Sequence, residues 1–79
     1  MSVEQQVKQV AADVFNVPAA SITPQSSPES IQTWDSVQHL NLVLALESAL
    51  GVQIDPEEIE RMGTIGAVIA LMEQKISRQ

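Results

Sequence analysis

Ser36 and His39 are the two side chains whose types and spacing could support nucleophilic chemistry. They lie three residues apart, a separation that makes them neighbours on a helix surface. A serine nucleophile also needs an oriented third group and donors that stabilise an oxyanion, and the sequence indicates neither. We therefore expect His39 to be a solvated helix residue and the chain to have no catalytic residues.

The hydroxyl of Ser36 is also a potential site of covalent modification. Asp35, directly before it, is a strong N-cap residue, and Gln38 completes the pattern of a capping box. Ser36 is thereby placed at the start of a helix, where the dipole and free backbone N–H groups favour a phosphodiester. From these residues alone, a serine that only begins a helix is the other interpretation.

Length and composition limit the fold and the kinds of site. The 79 residues leave room for one domain, 1–79, with a thin core, and the hydrophobic fraction of 44% is that of a folded domain. Because cysteine is absent and histidine occurs once, we expect no metal site. No secretory signal or membrane-spanning stretch is visible, which favours a cytoplasmic protein.

Charge is distributed unevenly along the chain. The formal net charge is −6, and no Lys or Arg occurs from Gln9 to Glu60, whereas all acids except Glu4 and Glu73 lie in that span. The basic residues all lie outside it: Lys8, Arg61, Lys75 and Arg78. We therefore expect no binding to nucleic acid or membranes. The acidity favours either solubility alone or attraction of basic partner proteins.

Helical periodicity predicts an all-α fold, a small four-helix bundle of three longer helices and one short helix. The first helix has Ser2 as a candidate cap at its start and ends near Asn16. A stripe of four valines forms its inner face, with Ala11 and Phe15 at the edge of that stripe. Residues 17–34 contain three prolines and form a long loop. The apolar anchors of this loop are Val17, Ile22, Ile31 and Trp34.

Local signals also place the other three helices. The second runs from the Asp35 cap to Leu50, where Gly51 ends it. A short third helix follows the cap Asp55 and ends by Gly63. Thr64 caps the last helix, whose inner face is formed by Ile65, Val68, Ile69, Met72 and Ile76.

The second helix is more apolar than one buried face requires. Its core stripe consists of Leu42, Val43, Leu46 and Leu50. Val37, Leu40 and Leu44 lie in another sector, together with Asn41 and Glu47. Two interpretations account for this second sector, and they are compatible with each other. The helix is central and contacts neighbours on both sides, or it exposes an apolar strip that serves as a docking site.

The segment from Trp34 to Glu47 (WDSVQHLNLVLALE) resembles the start of the second helix in the acyl carrier protein family. That family has Asp-Ser-Leu at this place, and its serine bears a 4′-phosphopantetheine arm. The likeness covers nearly the whole chain. Residues 8–15 resemble the family's first helix, residues 51–58 its approach to the third helix, and residues 64–65 its entry to the last.

The resemblance implies that Ser36, positioned by Asp35, carries covalent 4′-phosphopantetheine. A separate phosphopantetheinyl transferase, or holo-carrier synthase, would load it from coenzyme A. The arm would then carry acyl groups as thioesters to acyl-transferring, condensing or acyl-activating enzymes, and the chain would act as a monomer without catalysing a reaction. Basic patches on these partners would bind a docking face formed by Val37, Leu40, Asn41, Leu44, Glu47, Glu57 and Glu60.

Departures from the family pattern imply a carrier dedicated to one pathway of lipid, polyketide or related biosynthesis. Gln38, Asn41 and Ser48 stand where carriers of fatty acid synthesis commonly have acids. Pro28 replaces a common aromatic residue and Trp34 a small one.

Two alternative functions are compatible with the same residues. A peptidyl or aminoacyl carrier would share the fold and the serine. A non-covalent helical protein-interaction module would share the bundle and the apolar strip but would carry no prosthetic group.

Overall fold

Four α-helices make up the fold in the computed structural model, which describes residues 2–77. Helix α1 packs against both α2 and α4. The all-α four-helix bundle with a long loop between α1 and α2 is thus confirmed. The helix bounds are Val3–Phe15 for α1, Ser36–Leu50 for α2, Pro56–Ile59 for α3 and Ile65–Ser77 for α4, and a 3₁₀ turn at Ala19–Ser21 lies in the loop.

The helices begin and end at the predicted local signals. The Ser2 hydroxyl accepts a hydrogen bond from the Gln5 N–H at the start of α1, and the Thr64 hydroxyl accepts one from the Ala67 N–H at the start of α4. Asn16 ends α1 in the left-handed conformation, with φ of 57°. These boundaries follow from interactions within a few residues of each helix end, which is why the sequence predicted them.

The capping box predicted for α2 is only half formed. The Asp35 carboxylate accepts a hydrogen bond from the Gln38 N–H at 2.9 Å, as expected of an N-cap. The Gln38 side chain does not return to Asp35, because its Oε1 accepts a hydrogen bond from Asn41 Nδ2 at 3.0 Å. Gly51 ends the helix with φ of 65°, a conformation in which a side chain would be strained.

The buried face of α1 is shifted from the valine stripe toward its predicted edge at Ala11 and Phe15. Val7 is fully buried, but Val3, Val10 and Val14 are only half-buried. The remaining core positions of α1 are Ala11, Ala12 and Phe15. Because α2 and α4 both pack on α1, the covered sector is set by where they lie, and the small alanines leave room for that approach.

The apolar stripes of α2 and α4 form the rest of the core largely as predicted. Met62 and Met72 are fully buried. At the helix ends, Leu50 and Ile76 are only half-buried, whereas Leu71, which the stripe did not include, is buried. The α2 and α4 residues of the core are Leu42, Val43, Leu46, Ile65, Val68, Ile69, Leu71 and Met72.

The loop between α1 and α2 is fastened to the start of α4 by backbone hydrogen bonds. Ile65 N donates to Ser26 O, and Gly66 N donates to Pro24 O, each at 2.9 Å. Of the predicted anchors, three are buried and Val17 is half-buried. The loop is therefore a packed part of the fold, and it satisfies N–H groups that a helix start leaves without partners.

Lys75 fastens the short α3 to α4. Its Nζ donates to the Glu58 carboxylate and to Gln53 O, each at 2.6 Å. Glu58 also accepts a hydrogen bond from the Asp55 N–H at 2.9 Å. The Lys75 ammonium first, and then this N–H group, hold the pKa of Glu58 below its ordinary value.

Within residues 2–77, Lys8 and Lys75 are paired with acids, whereas Arg61, directly after Glu60, is exposed. Lys8 pairs with Glu4 at 2.9 Å within α1, and Lys75 is engaged as above. Arg78, the basic residue nearest the end of the chain, lies outside the described residues. Within residues 2–77, no helix combines the length and the hydropathy that crossing a membrane requires.

Replacing Gly66 with Ala should destabilise the fold. A Cβ atom at Gly66 would lie 2.9 Å from Pro24 O, so the loop would have to move. We expect a net loss of about 1–2 kcal/mol, since overpacking costs about 1–3 kcal/mol and the better helix propensity of Ala returns up to about 1 kcal/mol. Urea unfolding measures this loss.

The matched control is Gly63→Ala, because a Cβ there meets nothing within 4 Å. This variant should unfold within about 0.5 kcal/mol of the wild type. Equal effects of the two substitutions would contradict the tight loop–helix contact.

Candidate functional site

Ser36 is the first residue of α2, and its side chain is exposed. Within residues 2–77 its hydroxyl has no hydrogen-bond partner. Asp35 precedes it in extended conformation, and its backbone carbonyl accepts a hydrogen bond from His39 N at 2.8 Å. The serine oxygen is thus accessible to solvent, and the backbone around it is held by the hydrogen bond from His39 N to Asp35 O.

The surroundings of Ser36 suit a phosphodiester. In the described part of the chain, the N–H groups of Ser36 and Val37 have no acceptor, as is usual for a first helical turn. Such N–H groups and the helix dipole stabilise a negative charge at this end of α2. The phosphate of a group attached to the hydroxyl would therefore be stabilised by the positive end of the helix dipole. Its attachment would displace no existing hydrogen bond of the hydroxyl.

His39 is not the solvated residue that the sequence predicted. It is half-buried, and its Nδ1 accepts a hydrogen bond from Trp34 Nε1 at 2.9 Å. Indole is a donor only, so Nδ1 is unprotonated and the neutral ring carries its proton on Nε2. That nitrogen lies 3.0 Å from Ile59 O, to which it donates.

This arrangement removes His39 as a base for Ser36. Both ring nitrogens are bonded to other groups, and neither bond involves the serine. Ser36 and His39 thus lack the hydrogen bond that a nucleophile and its base require. No catalytic pair forms between them.

Trp34 joins three helices around Ser36. The indole is 3% exposed, and its ring stacks on Phe15 of α1 at a centroid distance of 4.9 Å and an interplanar angle of 26°. It also stacks on His39 of α2 at 5.9 Å and 17°. Through the bond between His39 and Ile59 O, the cluster reaches the end of α3. The start of α2 is therefore held by contacts to α1 and α3.

The second apolar sector of α2 is uncovered. Val37, Leu40 and Leu44 are 66%, 55% and 63% exposed, respectively. Helix α2 packs on α1 and is bonded to the end of α3, yet this sector remains exposed, so the exposed apolar strip is confirmed within residues 2–77. An apolar strip with the exposed Asn41 among its residues extends along α2 from the position after Ser36.

The acids of the predicted docking face differ in their surroundings. Glu57 and Glu60 are exposed, on α3 and directly after it. Glu47 is half-buried, and its Oε2 accepts a hydrogen bond from Ile54 N at 2.9 Å. It holds the segment that follows α2, a role that the sequence did not reveal because the partner is a backbone group seven residues later.

Comparison with known proteins identifies a matching family and relatives. The family described as "Phosphopantetheine attachment site" matches residues 5–72. An acyl carrier protein of Thermosynechococcus vestitus is 30% identical over 73 residues, covering 92% of this chain and 90% of the relative. An acyl carrier protein of Helicobacter pylori strain G27 is 32% identical over 73 residues, covering 92% and 94%.

A solved structure has the same fold. It is the solution NMR structure of holo acyl carrier protein from Geobacter metallireducens, with a TM-score of 0.87 and 24% sequence identity. The match covers 99% of this chain and 90% of that one. The arrangement of the helices is therefore shared.

Replacing His39 with Ala should loosen the start of α2. The change leaves the buried Trp34 N–H and Ile59 O without their partner, and we expect a loss of about 2–3 kcal/mol in unfolding free energy. The indole N–H resonance of Trp34 should shift in the ¹H–¹⁵N NMR spectrum, because it loses its acceptor.

Asn41→Ala is the control on the same helix. Asn41 is exposed and bonds only to the Gln38 side chain, so its removal should change stability by less than about 0.5 kcal/mol. An unshifted indole resonance in His39→Ala would show that the ring does not accept this bond in solution.

Proposed function

The chain belongs to the acyl carrier protein family, and we propose that Ser36 is the residue that bears its 4′-phosphopantetheine. Covalent phosphopantetheine is the prosthetic group of this family, and the matched attachment region includes residues 5–72. The observation that carries the assignment is the exposed Ser36 hydroxyl, unpartnered within residues 2–77, at the capped start of α2. Asp35 positions it by fixing the first turn.

The attachment is a transfer from coenzyme A catalysed by a separate phosphopantetheinyl transferase. The Ser36 oxygen forms a new bond to the phosphorus next to the pantetheine while the phosphoanhydride bond of coenzyme A breaks. Adenosine 3′,5′-bisphosphate leaves, and the hydroxyl proton passes to a base of the transferase. This chain supplies the hydroxyl and an N-terminal helix field that stabilises the resulting phosphodiester anion.

The attached group supplies a thiol that holds acyl groups as thioesters, and the chain presents them without reacting with them. His39, the single histidine of the chain, has both nitrogens engaged. One Asp35 oxygen accepts the capping hydrogen bond. The residues around Ser36 therefore position the group, and the chain is not an enzyme.

Acyl carrier proteins as a family act with a phosphopantetheinyl transferase and with other enzymes. In this chain we assign their binding to the docking face. Its apolar part is the exposed strip on α2, and Glu57 and Glu60 add negative charge on and after α3. The bond from His39 to Ile59 O holds α3 against α2 and so keeps these parts adjacent. A basic patch with an apolar centre complements this face.

The composition of the exposed α2 surface supports a role in one dedicated pathway. Asn41 and Ser48 are exposed and uncharged, and Gln38 is half-buried. Recognition along α2 therefore depends more on apolar contact and hydrogen bonding than on charge. Partner enzymes of one pathway can match such a surface, whereas the acids of α3 retain a general attraction for basic proteins.

Incubation with coenzyme A, magnesium and a phosphopantetheinyl transferase should add one phosphopantetheinyl group to the wild type. Ser36→Ala should gain nothing, because the attacking oxygen is absent. Ser48→Ala removes another exposed serine of α2 and should gain one group like the wild type. Intact-protein mass spectrometry measures all three masses.

Absence of any gain on folded wild-type protein with several transferases would contradict the assignment. The exposed strip would then favour the non-covalent interaction module. Direct charging of the loaded arm by an adenylating enzyme would instead identify a peptidyl or aminoacyl carrier.

Reversing a charge on the docking face should slow loading. For Glu60→Lys we expect kcat/KM of the transferase to fall roughly three- to tenfold, or about 0.7–1.4 kcal/mol, because an attractive contact becomes repulsive. The difference should shrink as salt is raised. Glu73→Lys makes the same charge change on α4, outside this face, and should load at the wild-type rate. Equal loading rates for the two variants would show that Glu60, directly after α3, is not part of the docking face.

A further inference from the structure

An open groove of about 560 Å³ lies beside Ser36, between the loop and the start of α2. Its two exposed apolar side chains come from different elements, Pro28 from the loop and Leu40 from the second turn of α2. We call it the Ser36 groove. It is lined by Pro28, Trp34, Asp35, Ser36, His39 and Leu40.

The Ser36 groove offers apolar surface and little unused polarity. Trp34 lines the groove, and its indole nitrogen is already bonded to His39 and is not available to a ligand. The other ring nitrogen of His39 is bonded to Ile59 O, and one Asp35 oxygen accepts the Gln38 N–H. Within residues 2–77, the Ser36 hydroxyl and the second Asp35 oxygen are therefore the polar side-chain groups of the lining that keep free hydrogen-bonding capacity, and of these only the hydroxyl can bear the arm.

The groove is also held in shape before anything binds to it. Trp34 is fixed by its stacking on Phe15 and by its hydrogen bond to His39. Leu40 lies on a capped helix, and Ile31, near Pro28 in the loop, is a buried anchor. A preformed apolar surface loses little conformational entropy when it receives a ligand.

We propose that the Ser36 groove holds the pantoyl unit of the chain's own phosphopantetheine arm, a subsite that rests on the proposed attachment at Ser36. In that arm the phosphorus is followed by one oxygen, one methylene and then a quaternary carbon with two methyl groups. The amide groups and the thiol lie farther out. The apolar part of the arm therefore lies next to the attachment point, and the apolar groove lies next to the same point.

Charge and tethering both favour this occupant. None of the residues that line the groove is Lys or Arg, so no cation of the lining retains the arm through its phosphate. Apolar contact by the two methyl groups is the attraction that the groove provides. Because the arm is bound to a residue that lines the groove, its effective concentration there is on the order of millimolar.

Trp34 and Pro28 both line the groove beside Ser36. Seating the pantoyl unit would direct the rest of the arm, and its thiol, along a restricted set of paths from α2.

NMR spectroscopy of the loaded protein tests this subsite. In isotope-labelled protein with an unlabelled arm, we expect nuclear Overhauser effects from the two pantoyl methyl groups to Leu40 and to the Trp34 ring. Trp34 is the single tryptophan, so its fluorescence should also change when the apo protein is loaded.

Two serine substitutions on α2 provide the matched comparison. Leu40→Ser removes an apolar wall of the groove and should abolish the contacts from the pantoyl methyl groups to Trp34. Leu44→Ser replaces a similarly exposed leucine that does not line the groove, and it should retain them. Mass spectrometry confirms complete loading of each variant before the spectra are recorded.

Fully loaded wild-type protein without these contacts, or with contacts from the pantoyl methyl groups to Val37 and Leu44 instead, would overturn the subsite while leaving the attachment at Ser36 intact. The groove would then be free for a partner's side chain. Failure of the wild type to gain the group at all would instead overturn the proposed function, so the two failures are distinguishable.

Discussion

The geometry around Ser36 depends on the hydrogen bond between the Trp34 indole and the His39 ring. It joins the end of the loop to α2, while the other nitrogen of His39 joins α2 to Ile59 at the end of α3. Stacking of Trp34 on Phe15 adds α1 to the same cluster. Groups that satisfy each other in a partly buried place are costly to separate. Ser36 lies between Trp34 and His39 in the chain, so this bond keeps it in place.

Helix α2 has more apolar surface than the fold can cover. A domain of this size has a thin core, and α2 contributes Leu42, Val43 and Leu46 to it. No other element of residues 2–77 covers the strip that faces away. The strip and the Ser36 groove share Leu40, so attachment of the arm and recognition by partners take place on adjoining surfaces. A carrier that must pass its cargo to several enzymes needs both surfaces to be accessible.

The sequence by itself determined the elements whose causes are local. The Asp35 cap and the glycine at position 51 bound α2, and Thr64 begins α4, because each acts on backbone groups within four residues. The sequence also predicted Ser36 at the start of that helix and an excess of apolar residues on α2. Whether the second apolar sector is covered could not be predicted, since a wheel shows which residues share a face but not what lies opposite.

Tertiary structure alone decided the contacts between residues that are distant along the chain. The sequence predicted His39 as a solvated helix residue, because its partner Ile59 O is a backbone atom 20 positions away in the chain. The loop carbonyl of Pro24 accepts from Gly66 N, a pairing without a side-chain signature. The core of α1 is centred on the predicted edge of its valine stripe, at Ala11 and Phe15, because the burial of each residue depends on the position of the neighbouring helices. Local hydrogen bonds depend on residues that are neighbours in the sequence, whereas packing depends on the whole folded chain.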